Sequence, residues 1–241
     1  MKEKTKKEIL ISVKRTYNSI AEDFSKTRKT GWQEFEEFLN YINDNDSIID
    51  LGCGNGRFYQ FLKNKRKVKY IGIDNSKKLL EEAKKIVKKE TTKLKASTSK
   101  LKTSSSKFIE GDLLKVPAQN ASAKVVACIA AFHHLPSKEL REKSLKEMHR
   151  VLQKNGKLIL TVWNLLEQPK YEKDVTKAKI KWLTTLGKYE KRGLSIPWGN
   201  EKIPRYYYAF KQKEIEKLLR PHFKIIEKKI GKNLTYICEK L

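Results

Sequence analysis

The stretch Asp50-Leu-Gly-Cys-Gly-Asn-Gly56 constrains this chain more than any other. It follows Ser47-Ile-Ile-Asp-Leu51, a compact apolar run that reads as a strand, and it opens a helical stretch from Arg57. Glycines at 52, 54 and 56 allow a tight turn and a close approach of a ligand to the backbone. A second strand, Val68 to Ile73, ends at Asp74, and Asn75 or Ser76 caps a helix to about Lys89. A carboxylate at that strand tip is placed to accept both hydroxyls of a ribose. Strand, glycine turn, helix, strand and acid in this order point to a nucleotide-type site on a parallel sheet. The spacing is G-x-G-x-G, which departs from the G-x-G-x-x-G of dinucleotide sites.

The rest of the chain alternates in the same way. Helical spacing covers 8–24 and 32–42. Phe108-Ile109 reads as a short third strand, with Asp112 just past it. Lys124 to Ala130 is apolar on both faces, as in a covered parallel sheet. A helix over Ser137 to Leu152 follows, and Asn155-Gly156 turns the chain into a strand from Lys157 to Trp163. After a helix at Gln212 to Leu219, two strands flank Gly231-Lys-Asn233 as an antiparallel hairpin. Residues 90–107 are rich in Lys, Ser and Thr and read as a flexible insertion. Residues 164–208 carry no clean period and read as a cap over the strand ends. The 241 residues suit a single domain, with N-terminal helices in 1–45.

Composition narrows the partners. Lys+Arg total 54 against 28 Asp+Glu, a net charge of +26. That excess disfavours a cationic small molecule and favours a polyanion. Only nine of the 54 are Arg, a balance that codon bias in an AT-rich genome would also produce. The Lys runs at 63–69, 84–89 and 93–102 are individually solvated faces and together a possible phosphate track. Cys53, Cys128 and Cys238 have no metal-ligand spacing and are odd in number, which argues for a reducing compartment, the cytoplasm or nucleus, and against a cysteine metal site. The longest apolar run, Val125 to Phe132, is too short to cross a bilayer, and the N-terminus has no leader-like apolar stretch.

The D-x-G-x-G-x-G form resembles the first motif of the class I S-adenosylmethionine-dependent methyltransferases. A narrower resemblance is carried by Tyr17-Asn-Ser-Ile-Ala-Glu-Asp-Phe24, Thr27-Arg28, Trp32, Ile129-Ala-Ala-Phe-His-His-Leu135, Val162-Trp163, Ile196-Pro-Trp198 and Arg205-Tyr-Tyr207. This set is similar to the wobble-uridine tRNA methyltransferases, which esterify the carboxymethyl group of the anticodon uridine. Lys124 stands where that family usually has an acid, and the 90–107 insertion is longer than usual.

The resemblance implies an α/β, Rossmann-like seven-stranded sheet. It is mostly parallel, with a C-terminal antiparallel hairpin and helices on both faces. It implies S-adenosyl-L-methionine as cofactor, held by Asp50, Gly52, Gly54, Asn55, Gly56, Asp74, Asp112 and Ala130. It implies tRNA as partner, with a small zinc-binding activator subunit as a second one, and no membrane or resident metal.

The acceptor would be a carboxylate, ionised at neutral pH and needing no general base. Arg28 would orient it, while Tyr17 and Trp163 wall the methyl end. His133 and His134 are the remaining catalytic candidates; on an extended chain their side chains point apart, so at most one faces the pocket. Trp32, Trp163, Trp198, Arg205, Tyr206 and Tyr207 mix aromatics and cation as RNA-base contacts do. Two other readings fit the core motif: a methyltransferase for a quinone-type or other metabolite, and a non-catalytic domain binding RNA or a partner.

Overall fold

The computed structural model describes residues 1–28, 32–95 and 105–241. Strands β1 (Ser47–Leu51), β2 (Lys69–Asp74), β3 (Ser105–Glu110), β4 (Ala123–Ile129) and β5 (Leu152–Trp163) pair in parallel. Strand β9 (Asn233–Lys240) pairs antiparallel to β5, and β8 (Phe223–Ile230) pairs antiparallel to β9, giving the order β3-β2-β1-β4-β5-β9-β8. This is the seven-stranded, mostly parallel sheet with a terminal hairpin that the sequence implied. The strand order reverses between β1 and β4, where open α/β sheets leave a crevice beyond the carboxyl ends of the strands.

Alternation along the buried strands divides the core in two. Ile49, Val126, Cys128, Leu158 and Leu160 face Leu145 and Met148 of α6 (Lys138–Val151) and Leu218 of α8 (Gln212–Leu219). Ile48, Val125, Ala127 and Ile159 pack in a second cluster with Phe38 of α3 (Phe35–Phe38), Phe58 of α4 (Arg57–Leu62) and Leu80 of α5 (Lys77–Lys95). Over its buried stretch Val125–Cys128, β4 is apolar on both sides because both sides are covered. Ser76 caps α5 through its hydroxyl, 3.3 Å from Leu79 N–H, and Ser137 does the same for α6 at Leu140.

Several elements differ from the expected ones. The helix over 8–24 is two helices, α1 (Glu3–Ser19) and α2 (Ala21–Lys26), because buried Ile20 leaves helical geometry at φ −96°, ψ 4°. The stretch 32–42 is helical only from Phe35, and its last turn, Leu39–Tyr41, is 3₁₀. Of the 90–107 insertion, 90–95 continue α5 and 105–107 begin β3, while 96–104 lie outside the described residues. Ser105, Ser106 and Lys107 become strand without apolar side chains because main-chain pairing with Lys69, Tyr70 and Ile71 specifies an edge strand. β5 starts at Leu152, with Asn155 at φ 59° inside an irregularity between Ala123 and Val125 of its partner.

The cap is ordered: it holds α7 (Glu172–Thr184) and an antiparallel hairpin of β6 (Gly193–Trp198) and β7 (Ile203–Tyr208). Its small core joins Ala178 to Leu165, Leu194, Ile196 and Tyr207. The period is weak in sequence because that one core involves only a few positions from each element.

Candidate active site

A cleft opens at the carboxyl ends of β1, β2 and β4 and is roofed by α1, α2 and the cap hairpin. Its first half is acidic. Gly52 leaves β1 at φ 75°, and a Cβ there would sit 2.3 Å from that of Ala131, so only glycine lets the β1 and β4 turns meet. Gly54 faces open space, with Phe24 the nearest atom at 4.0 Å from a notional Cβ. Asp74 accepts the Gly54 N–H on Oδ2 at 2.9 Å and the Ser76 N–H on Oδ1 at 2.8 Å. Each oxygen keeps a further lone pair, which is what a two-hydroxyl ligand needs. Burial raises the Asp74 pKa, and the backbone donors oppose that rise.

Asp50 is buried beneath the turn, accepts the Tyr70 hydroxyl at 2.5 Å, and is pushed up to about 7 by desolvation. Asp112 holds the Leu114 N–H on Oδ1 at 2.8 Å and lines the cleft beside Leu113. Asn55 and Ala130 line it too. Ala130 adopts φ 54°, a strained conformation fixed by its N–H donating to both Thr161 O and Thr161 Oγ1 at 3.0 Å. Residues of this half fit S-adenosylmethionine: a carboxylate with two free acceptor positions, a glycine turn open to a ligand, and negative charge facing a sulfonium.

The second half is cationic and aromatic. Arg28, Arg57 and Arg205 all line it, and among the described residues none has a carboxylate at ion-pair distance. Arg28 lies 5.3 Å from the Phe24 and Trp198 rings. Arg205, only 5% exposed, lies 4.7 Å from Trp198 and 5.2 Å from Tyr207, and its Nε has no partner among the described residues. Arg57 sits 4.8 Å from Trp32; burial first, and the charge of Arg28 second, lower its pKa to about 10. Trp163 stacks on Tyr207 at 4.8 Å, and both line the cleft.

Tyr17, His134 and Tyr207 form a relay at the junction of the halves. His134 Nδ1 is 2.6 Å from the Tyr206 carbonyl, so it must carry the proton and donate. Nε2 is therefore the acceptor and receives the Tyr17 hydroxyl at 3.0 Å, leaving Tyr17 to accept from Tyr207 at 3.3 Å. Desolvation lowers the His134 pKa to about 4 and raises that of Tyr17. Neither group is a ready base at neutral pH.

Four expected site residues are placed elsewhere. The two histidines lie in a 3₁₀ turn, Phe132–His134, and not on extended chain. His133 is fully buried behind the wall, accepts the Trp163 N–H on Nδ1 at 3.2 Å, and does not line the cleft. Gly56 caps α4 at φ 76°, where a Cβ would press on Ala83 and Phe108 at 3.2 Å; its role is helix packing. Tyr206 contributes its carbonyl, while its side chain is turned away from the cleft with the hydroxyl buried and unpartnered among the described residues. Trp198 sits behind the arginines, contacting both Arg28 and Arg205, with its indole N–H 3.3 Å from Asp23 Oδ2. Sequence reasoning missed Arg57 and Phe24. Phe24 lay within the quoted Tyr17–Phe24 motif, whereas Arg57 carried no signal beyond opening a helix.

Residues 49–160 match the family model described as methyltransferase domain. A putative methyltransferase of Encephalitozoon cuniculi is 28% identical over 82% of this chain and 80% of its own length. The tRNA (carboxymethyluridine(34)-5-O)-methyltransferase of Schizosaccharomyces pombe is 26% identical over 86% of each chain. A Xenopus tropicalis enzyme of the same name is 30% identical over 67% of this chain, which spans 22% of that longer protein. Among solved structures, an S-adenosylmethionine-dependent methyltransferase of Methanosarcina mazei superposes with TM-score 0.71 at 19% identity, over 88% of this chain and 99% of that one. A putative methyltransferase of Haloferax volcanii, solved with its Trm112 activator, gives 0.60 at 15% identity, over 95% and 97%. No helix among the described residues is long and apolar enough to cross a membrane.

Proposed function

We propose that the chain, with its methyltransferase domain match and class I fold, is an S-adenosylmethionine-dependent methyltransferase whose acceptor is the carboxymethyl group of a wobble uridine in tRNA. The observation that carries this reading is the set of three arginines without carboxylate partners among the described residues, facing the acid-lined half across one cleft. Such an arrangement suits an anionic acceptor on one side and a cationic methyl donor on the other. The names of relatives that share 26% to 30% identity with this chain agree with it.

S-Adenosylmethionine, when bound, supplies an electrophilic methyl group on a positively charged sulfur. A carboxylate acceptor is ionised at neutral pH, so the residues around it would have no proton to remove. The protein's task is orientation and exclusion of water. In this reading Arg205 and Arg28 hold the carboxylate, Trp163 and Tyr207 flank the base, and Tyr17 and His134 shape the junction. His134, with both nitrogens engaged and a pKa of about 4, fits a reaction that needs no base.

A zinc-binding activator subunit belongs to the same proposal. The outer edge of β3 pairs with no other strand among the described residues and is open to strand addition.

The direct test is incubation with labelled S-adenosylmethionine and tRNA carrying carboxymethyluridine, followed by nucleoside analysis. Label in the methyl ester of that nucleoside is the expected result. Label in a hydroxyl of a metabolite, with none in tRNA, would replace this reading with the small-molecule one.

A further inference from the structure

The positive charge of this chain is divided between opposite ends of the sheet. Lys67 precedes β2, Lys69 opens it and Lys154 lies at the start of β5, so these exposed lysines belong to the end away from the cleft. The cap follows the carboxyl end of β5 and lies on the cleft side. Its helix α7 buries Ala178 and half-buries Val175 against the hairpin, while Lys173, Lys177 and Lys181 stay exposed.

The cap is also joined to the cleft by stacked rings. Tyr207 stacks on Trp163 at 4.8 Å, and Trp163 on Tyr171 at 6.4 Å with 22° between planes. Tyr171 is half-buried at the start of α7, with Lys170 4.7 Å from its ring. Further along, Lys181 lies 3.9 Å from the Tyr189 ring and Lys191 5.1 Å from Trp182. Leu186, 96% exposed, and Leu183, 63% exposed, leave apolar surface among these cations. Stacking rings beside lysines form the kind of surface that single-stranded or looped nucleic acid uses.

We propose that α7 and the turn after it are the surface along which the RNA leaves the active site. The nucleotide next to the reacting one would stack on Tyr171, and the lysines of α7 would follow the phosphates. The inference rests on the tRNA reading above and commits to RNA as the occupant of this face. The opposite end of the sheet then contributes no phosphate contacts, although it is similarly basic.

Two variants of equal charge separate the alternatives: Lys173→Gln/Lys177→Gln/Lys181→Gln on the cap, and Lys67→Gln/Lys69→Gln/Lys154→Gln on the far end. Binding of unmodified tRNA is measured against salt for the full chain and both variants. The cap variant is expected to bind about tenfold more weakly near physiological salt, with the slope of log affinity against log salt reduced by about two. The far-end variant is expected to keep the parent slope, and both should bind S-adenosylmethionine as the parent does. A cap variant with parent affinity and slope would overturn the proposal and leave that face to a protein partner. Equal losses in the two variants would overturn it as well, because the charge would then act only as a diffuse field. If the parent binds no tRNA at any salt, it is the tRNA reading itself that falls.

Discussion

The two halves of the cleft are built by different means. The acid half comes from turns that directly follow strands β1, β2, β3 and β4, and its groups are held by hydrogen bonds within a few residues or across one strand pair, from the main chain for Asp74 and Asp112 and from the Tyr70 hydroxyl for Asp50. Asp74 is fixed by Gly54 and Ser76, and Asp112 by Leu114. The arginine half is assembled from the segment after α2, from α4 and from the cap hairpin more than a hundred residues further along, and its groups are held by rings. A carboxylate pinned by amides keeps its place without ligand. A guanidinium lying on an indole keeps its charge and most of its donors free for an incoming anion. Cofactor recognition therefore needs little rearrangement, while acceptor recognition depends on how well the cap is docked.

The largest expected effect lies in the acid half. Asp74→Ala removes two charged acceptor positions and also frees the Gly54 and Ser76 amides. It should weaken S-adenosylmethionine on the order of a hundredfold by titration calorimetry, at ~1.5–3 kcal/mol per charged hydrogen bond before compensation by water. Unchanged affinity would show that Asp74 does not hold the ribose.

Next comes Arg205→Ala, which should lower kcat/KM for carboxymethylated tRNA by roughly thirtyfold while sparing cofactor affinity. Loss of both together would mean that the halves are not independent. Arg28 is half-exposed, so Arg28→Ala should cost only about fivefold, and Arg28→Lys should restore part of that because a point charge cannot reproduce the planar fork. Normal tRNA methylation by the alanine variant would remove Arg28 from the acceptor site.

Stability should also separate the acid half from the junction, with opposite signs. Asp50 is held at about 7, above its unfolded value of 3.8, so its protonated form favours the fold. That contribution is full below about pH 4 and is lost as pH rises through 7. His134 is held at about 4, below 6.5, so its neutral form favours the fold, and its contribution is lost as pH falls from 6.5 through 4. Between pH 7 and 4, Asp50→Asn should therefore steepen the acid loss of stability and His134→Asn should lessen it, each by at most ~1.4 kcal/mol per pH unit. Denaturant melts of the ligand-free protein read both slopes; a shift of the same sign in both variants would refute the assignment. The smallest effect is a null one: at saturating substrates the rate of methyl transfer should be nearly flat from about pH 6 to 9, since a carboxylate acceptor is already ionised. A tenfold rise per pH unit, abolished in His134→Asn, would point instead to base-assisted transfer to a hydroxyl.

How much of this was readable in the chain follows the same division. The order of the five parallel strands, the glycine turn and the three aspartates at their tips were legible because each acts where its own strand ends. Contiguous residues set that geometry through turn chemistry and strand alternation. Asp50, Asp74 and Asp112 all line the cleft for this reason. The histidine pair shows the limit: a 3₁₀ turn decided that His134 faces the cleft and His133 backs the wall, and nothing in the pattern His-His distinguishes a turn from extended chain. Likewise Trp198 and Tyr206, read as base contacts, support the site from behind, because in a two-stranded hairpin the face each side chain takes is fixed by what the hairpin packs on.

The sequence by itself determined the parallel sheet, its crevice and the acidic side of the site, since these depend on period-two alternation, glycine turns and acids at strand tips. Only the tertiary structure decided that Arg28, Arg57 and Arg205 share one cleft and that Arg57 belongs to it at all. It also decided that α7 carries its lysines on the same side of the sheet. The physical reason is range: backbone constraints act over a few residues and leave a signature in local spacing. The convergence of distant guanidiniums is set by how helices and a hairpin bury their apolar sides against one another, which no short stretch of the chain records.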